Sequence, residues 1–310
     1  MTAPAANRLL LTGASGFIGR HLSPLLLADG YEVHAVARTP PSGGGDLHWH
    51  QADLLQPGTA RSLAKSVVAT HLVHLAWNVT PGSFWNRVEN LDWVAASLEL
   101  YRGFSESGGR RALFAGTCAE YDWRHALLDE ATTPCEPATL YGTAKHALHL
   151  LLRAAADRND VSLAWARLFL LYGPGEPGRR LLPDVITSIS RGRPALFGDG
   201  RAERDFMYVT DAALALRAIL NSTVSGPVNV ASGTCIPLRE VIEIAASCLG
   251  RPDLVRLGAR ATPAGEPARL AASVALLRDS VGFTPRTGLY DGIMASIAWW
   301  REQPERDTMA

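Results

Sequence analysis

Tyr141 and Lys145 stand four residues apart in the run Tyr141-Gly142-Thr143-Ala144-Lys145, where an apolar pattern of helical spacing begins. Positions i and i+4 share a helix face, so this phenol and this ammonium point into one space. A nearby lysine cation favours the phenolate, tunes it for proton transfer, and can hold a ligand hydroxyl as well. Lys65 and Lys145 are the only lysines among 30 basic residues. A lysine kept in a chain that otherwise uses arginine points to chemistry needing a compact, adjustable ammonium. Upstream, Phe114-Ala115-Gly116-Thr117 reads as the end of a strand, and the Thr117 hydroxyl can hydrogen-bond a carbonyl or alkoxide oxygen. The plainer reading of Thr117 is a residue satisfying backbone in a turn. In the company it keeps, it joins Tyr141 and Lys145 as the candidate catalytic set.

The strand-like Leu9-Leu10-Leu11-Thr12 runs into Gly13-Ala14-Ser15-Gly16-Phe17-Ile18-Gly19 and then a helix. The spacing is G-x-x-G-x-x-G rather than the commoner G-x-G-x-x-G, but the physics is shared. Glycines allow a tight turn, let backbone approach a pyrophosphate, and aim helix N–H groups at it. Gly13, Ser15, Gly16, Phe17, Ile18 and Gly19 form the expected cradle; alone, such a turn is also an ordinary strand-to-helix connection. NAD-selective sites place a carboxylate at the end of the second strand to bind the ribose 2′-hydroxyl. Here that stretch is Val36-Ala37-Arg38-Thr39, with no acid. Arg38 offers a planar fork to a 2′-phosphate, so NADP(H) is expected, with NAD(H) the lesser fit. Ser42 and Arg20 are minor candidates for the same phosphate. Asp53 and Leu54 follow the third strand, where adenine would lie; Leu75, Ala76 and Trp77 follow the fourth and complete the expected cofactor contacts.

Such residues need a scaffold that brings strand ends together. The first half alternates strands (Arg8–Thr12, Tyr31–Ala37, His48–Ala52, His71–Ala76, Arg111–Gly116, Ser162–Leu170) with helices (Phe17–Asp29, Pro57–Val68, Phe84–Ser107, Leu140–Asp157). Alternation of this kind predicts right-handed βαβ units and an α/β, doubly wound parallel sheet. The nearly continuous apolar runs of the fourth and last strands suit burial on both faces. After Leu171 the pattern changes to a breaker-rich loop, YGPGEPGRR, and shorter elements. The expected division is a dinucleotide-binding domain over 1–171 and a smaller substrate-binding lobe over 172–310, interleaved with the sheet. Thirty acidic residues balance the thirty basic ones, so no global field argues for nucleic acid or a membrane surface. Cys118, Cys135, Cys235 and Cys248 show no disulfide or zinc spacing, and no membrane-length apolar stretch occurs. A cytoplasmic protein is expected.

TGASGFIG, Asp53-Leu54, HLAW, Asn90, GTCAEY, YGTAK, YGP and RDFMYV occur in an order that resembles the extended short-chain dehydrogenase/reductases acting on nucleotide sugars. The resemblance covers nearly the whole chain. It implies that Thr117, Tyr141 and Lys145 are catalytic, that the C-terminal lobe binds a nucleotide diphosphate, and that the protein is a homodimer. Departures from the family pattern narrow the reaction. Dehydratases and decarboxylases of this kind carry an acid two places after the catalytic Thr; here Cys118 and Ala119 follow it, and Glu120 is one place too far. The reductase making GDP-fucose has a cysteine where Ala119 stands. The expected reaction is therefore NADPH-dependent reduction of the 4-keto group of a nucleotide-linked (6-deoxy)sugar. A 4-epimerase with retained cofactor is the nearest rival, and a non-catalytic dinucleotide sensor the rival of another class.

Substrate contacts are less legible. Asn78, Cys118, Arg204 and Arg269 are candidates, the two arginines as partners of diphosphate oxygens. Surface or structural arginines, and a small buried thiol, are the plainer readings. Trp77, Trp85 and Trp93 either line a sugar pocket or pack a core. The Asn usually found before YGP is Leu170 here. His48-Trp49-His50 lacks further ligands, so no metal is expected. Phe17 removes the last glycine that a serine-hydrolase turn around Ser15 requires.

Overall fold

The computed structural model describes residues 7–43, 45–261 and 265–303. The first half contains β1 (Arg8–Thr12), α1 (Gly19–Ala28), β2 (Glu32–Ala37), β3 (His48–Gln51), α2 (Thr59–Val67), β4 (His71–His74), α3 (Glu89–Glu106), β5 (Arg111–Thr117), β6 (Leu127–Leu128) and α4 (Leu140–Ala156). Then follow β7 (Ser162–Leu168), β8 (Leu170–Tyr172), α5 (Leu181–Ser190), β9 (Ala195–Leu196), β10 (Glu203–Tyr208), α6 (Val209–Asn221) and β11 (Gly226–Val230). The chain continues through β12 (Cys235–Pro237), α7 (Leu238–Cys248), β13 (Val255–Arg256), β14 (Arg269–Ala272), α8 (Ala275–Asp279) and α9 (Leu289–Glu302).

Seven strands form one parallel sheet in the order β11-β7-β5-β4-β1-β2-β3. The order reverses between β1 and β4, and a crevice opens at the carboxyl ends of strands beside such a switch. Both faces are covered, as the apolar strands require. Leu9, Leu11, Val33 and Ala35 pack with α1 and α6; Leu10, Leu72, Ala112 and Phe114 pack with α2, α3 and α4. The helix α4 buries Tyr141, Lys145, Leu148, His149, Leu152 and Ala156 along one line. That line follows the 3.6-residue period, so the stripe that fixes α4 on the sheet also carries the candidate phenol and ammonium to the sheet's carboxyl edge.

Later segments build a second sheet, β12-β10-β14-β6, with β8 also paired to β10. Helices α5, α7 and α9 pack around it with Val185, Ile242 and Ile293 at 0% exposure. Beneath the carboxyl edge of the main sheet, Cys118, Tyr121, Leu128, Phe169, Ala231 and Leu270 form a small apolar layer joining the two parts.

Two elements depart from the sequence pattern. The apolar run from Ser162 to Leu170 is not one strand: it breaks at Phe169, β7 pairing with β5 and β8 with β10. The expected long helix from Phe84 is a short 3-10 turn over Phe84–Asn86, an extended Arg87, and then α3. Asn90 explains the break, because its Nδ2 donates to the Phe84 and Arg87 carbonyls at 2.8 and 2.9 Å. No helix among the described residues is long and apolar enough to cross a membrane.

Candidate active site

The glycine turn sits at the carboxyl end of β1, beside the switch point. Gly13 has φ +74°, and an added Cβ there would lie 2.9 Å from Ala76 N. A Cβ at Gly19 would lie 2.1 Å from the Gly13 carbonyl, so only glycine lets α1 begin against its own turn. The first amides of α1 have no side-chain cap and no acid in the first turn. Free amides at a helix N-terminus suit an anion, so the cradle fits a pyrophosphate. Arg20 folds back onto the Ser15 and Gly16 carbonyls at 3.1 and 3.2 Å, beside the pyrophosphate turn rather than towards Arg38. Arg38 and Ser42 are exposed beyond β2, and the Arg38 guanidinium has no partner among the described residues. Asp53 accepts the Leu55 N–H at 3.1 Å, and Leu54 is buried.

Behind the turn runs a directional chain of hydrogen bonds. The Ser97 hydroxyl donates to the Trp93 carbonyl (2.7 Å), which leaves its oxygen to accept from His74 Nε2 (2.9 Å). His74 Nδ1 then accepts from Thr12 Oγ1 (2.7 Å), and Thr12 accepts the Ala76 N–H (3.2 Å). Burial, reinforced by the charge on Lys145, lowers His74 to about 3, so it is neutral, as this chain requires. The chain fixes the loop through Leu75, Ala76 and Trp77 against β1.

Thr117, Tyr141 and Lys145 meet at the ends of β5 and α4. Thr117 caps a 3-10 turn over Cys118–Glu120: its Oγ1 accepts the Ala119 N–H at 3.2 Å, while its own N–H donates to Glu120 Oε1 at 2.8 Å. The Thr117 proton is thereby left for the neighbouring Tyr141 phenol. Helix α4 starts directly against this turn, and a Cβ at Gly142 would lie 2.2 Å from the Ala119 carbonyl. Tyr141 is 8% exposed, ringed by Trp77, Phe84 and Trp85 at centroid distances of 6.3, 4.9 and 5.9 Å. Burial raises its pKa; the Thr117 hydroxyl and then Arg180 pull it down, and Cys118 and Glu120 push it up. Tyr141 therefore holds its proton and can donate it. Lys145 donates to the Ala115 carbonyl at 2.9 Å and lies 3.7 Å over the Trp77 ring. Burial lowers it to about 7, against the raising influence of Glu120.

The three tryptophans divide their roles. Trp77 stacks on Trp93 (5.9 Å) and donates to Asn90 Oδ1 at 2.9 Å, forming a floor under Lys145. Trp85, 37% exposed, faces the mouth beside Tyr141. Asn78 donates to both Glu89 oxygens and accepts from Thr80, within its own loop. Arg204 is buried and bonded to Glu266 (2.7 Å) and the Glu203 carbonyl (2.8 Å); its charge acts on Cys118, which places it under the site. Arg269 pairs with Glu203 at 3.1 Å and is exposed. Burial pushes the Cys118 thiol up to about 12, so it is a packing residue rather than a nucleophile.

Glu120, one place too far along the sequence to serve as the acid, is also turned away from a substrate. The turn folds its carboxylate inward, where it is 0% exposed and takes N–H groups from Thr117, Trp165 (2.8 Å) and Arg167 (3.1 Å). Its oxygens also lie near His146 and His149, within 4.8 Å. Three donors already on this carboxylate, one of them a guanidinium, make the trio a poor seat for a dication. Among residues that sequence reading passed over, Phe84, Arg180, Trp165 and Arg167 bear on the site. Only Arg180, in the loop after the YGP turn, sits near a motif that would have flagged it.

Comparison with known proteins shows the family. Residues 9–231 match the model of the NAD dependent epimerase/dehydratase family. The chain belongs to this family. It is an extended short-chain dehydrogenase/reductase, and its relatives in the epimerase/dehydratase family are nucleotide-sugar epimerases, dehydrogenases and decarboxylases. The protein is 27% identical to "dTDP-6-deoxy-L-talose 4-dehydrogenase (NAD(P)(+))" of Kitasatospora kifunensis, over 94% of this chain and 96% of the relative. It is 24% identical to "UDP-glucuronic acid decarboxylase 1" of Xenopus tropicalis, covering 96% of this chain and 73% of the relative. Among solved structures, MoeE5 in complex with UDP-glucuronic acid and NAD superposes with a TM-score of 0.82 at 29% identity, covering 95% of this chain and 99% of that one. For this member of the epimerase/dehydratase family, Gly142→Ala separates packing from propensity. Helix propensity alone favours alanine by about 0.5–1 kcal/mol, whereas the Ala119 carbonyl predicts a net loss of roughly 1–3 kcal/mol. Urea unfolding of the two proteins checks the sign.

Proposed function

We propose that the protein reduces the 4-keto group of a nucleotide-linked 6-deoxysugar with NADPH. The observation that carries this reading is Arg38, exposed and unengaged where an NAD-selective site would place a carboxylate. A guanidinium there attracts a 2′-phosphate and binds it in a planar fork. The relative from Kitasatospora is named for oxidation at position 4 with NAD(P)+, the reverse of this reaction.

When bound, NADPH supplies a hydride to the carbonyl carbon. Tyr141 donates its phenolic proton to the carbonyl oxygen, so hydride and proton together convert the ketone to an alcohol. The Thr117 hydroxyl, a hydrogen-bond partner of the Tyr141 phenol, would bond the same oxygen and stabilise charge developing there. The Lys145 ammonium would hold a ribose hydroxyl and stabilise the phenolate left when Tyr141 gives up its proton. Asp53 and Leu54 would meet the adenine, and Arg204 or Arg269 the substrate diphosphate. Asn78 and Cys118 would border the sugar. Dehydration and decarboxylation lack a second acid, since Cys118 and Ala119 follow Thr117 and Glu120 is bound to Arg167. A 4-epimerase with retained cofactor is the second reading, favoured by the likeness to the UDP-glucose 4-epimerase of Halalkalibacterium halodurans, at 25% identity over 96% of this chain and 96% of the relative.

Incubation with NADPH and a panel of nucleotide-linked 4-keto-6-deoxysugars tests the proposal: absorbance at the nicotinamide band falls with one of them. Interconversion of nucleotide hexoses without loss of NADPH would favour the epimerase. NADPH is expected to bind more tightly than NADH, by about tenfold or more. Arg38→Ala removes most of that preference in a fluorescence titration; equal affinity in the parent protein contradicts the assignment. Tyr141→Phe lowers kcat by about a hundredfold or more, with NADPH affinity within about twofold of the parent.

A further inference from the structure

Glu120 lies beneath Thr117, its Oε1 against Gly116 while Lys145 bonds the neighbouring Ala115 carbonyl of the same strand, and it is held there by construction. A Cβ at Gly116 would fall 2.2 Å from Trp165 Nε1 and 2.7 Å from Glu120 Oε1, so the glycine before Thr117 makes room for this contact. Oε1 accepts the Thr117 and Trp165 N–H groups at 2.8 Å each, and Oε2 accepts Arg167 Nε at 3.1 Å. Arg167 is itself 4.4 Å over the Tyr121 ring and donates to Cys135, which fixes its orientation. We propose that Glu120 is a positioning residue of this site: it orients Thr117 through the backbone and supplies the buried negative charge that keeps the Lys145 ammonium protonated. The proposal rests on the catalytic reading of Thr117, Tyr141 and Lys145.

The orienting half follows from the turn. With its N–H on Glu120 and its oxygen accepting from Ala119, Thr117 has its hydroxyl proton turned away from both. Loss of the carboxylate frees the N–H and lets the turn relax. The electrostatic half follows from the surroundings of Lys145. His74 on β4 and His149 on α4 are neutral, each lowered to about 3 by burial first. His146 is shifted in the same direction, and Tyr141 and Cys118 are raised by burial, so these groups add no charge. Arg167 on β7 is a cation, which leaves Glu120 as the anion acting on the ammonium. In a medium of low polarity that one charge carries more weight than it would in water.

The chain's two lysines make the test direct. Protein labelled with carbon-13 at lysine Cε gives two resonances, exposed Lys65 and buried Lys145, and their titrations can be followed by NMR. The Lys145 midpoint is expected well below the ordinary lysine value in the parent, because of burial. In Glu120→Gln it falls by about one pH unit or more, because removing a negative charge favours the neutral amine. The alkaline limb of kcat moves to lower pH with it. Glu120→Asp keeps the charge but shortens the reach to Thr117, so the Lys145 midpoint stays near the parent value while kcat falls and KM does not. Breaking a buried ion pair is destabilising; if Glu120→Gln does not fold, Glu120→Gln with Arg167→Met removes both charges, and a downward shift smaller than that of the single substitution is expected, because loss of the Arg167 cation offsets part of it. A Lys145 midpoint unchanged in a folded protein lacking the Glu120 charge overturns the proposal. The NMR titration needs no turnover, so failure of the reductase reading leaves this result interpretable.

Discussion

Helix α4 begins so close to the turn after β5 that the Ala119 carbonyl occupies the space a side chain at position 142 would need. That approach sets the relation between two elements that carry the candidate catalytic residues. The turn holds Thr117 and α4 holds Tyr141 and Lys145, and the stripe that buries α4 along Leu148, Leu152 and Ala156 leaves it no other rotation. Close backbone approach is a stronger constraint than a side-chain contact, because it cannot be relieved by a change of rotamer. The glycine turn after β1 repeats the device: Gly13 against Ala76 and Gly19 against Gly13 fix a cradle beside the switch point.

Dryness is the second property of the site. Burial moves each group in it towards its neutral form: Tyr141 up, Lys145 to about 7, His74 to about 3 and Cys118 to about 12. The ion pair of Glu120 and Arg167 is the exception, and it survives because both partners are multiply hydrogen-bonded. A lysine suits such surroundings, since its pKa moves with burial where that of arginine stays far above neutrality. The presence of lysine at 145, in a chain that otherwise uses arginine, is consistent with this physical demand.

Sequence patterns reveal what is local. The first strand, the glycine turn and the start of α4 each announce themselves by spacing, and the parallel α/β fold follows from their alternation. Long-range pairing is not written in any local pattern. The apolar run from Ser162 to Leu170 shows burial but not that its end joins another sheet. The break before α3 depends on an asparagine that turns back on two carbonyls, which looks like an ordinary helical position in sequence. Glu120 and Arg167 are separated by 47 residues, so a carboxylate that seemed merely out of register was instead part of a buried pair. The placement of Trp77 beneath Lys145 likewise required the fold.

The fate of the transferred hydrogen is the most direct measure of net reduction at one carbon. With NADPH deuterated at the transferring position of the nicotinamide, the account predicts one deuterium at C4 of the product sugar for each NADPH consumed. Recovery of a C4-epimerised nucleotide sugar without deuterium, and with the cofactor undiminished, would contradict it.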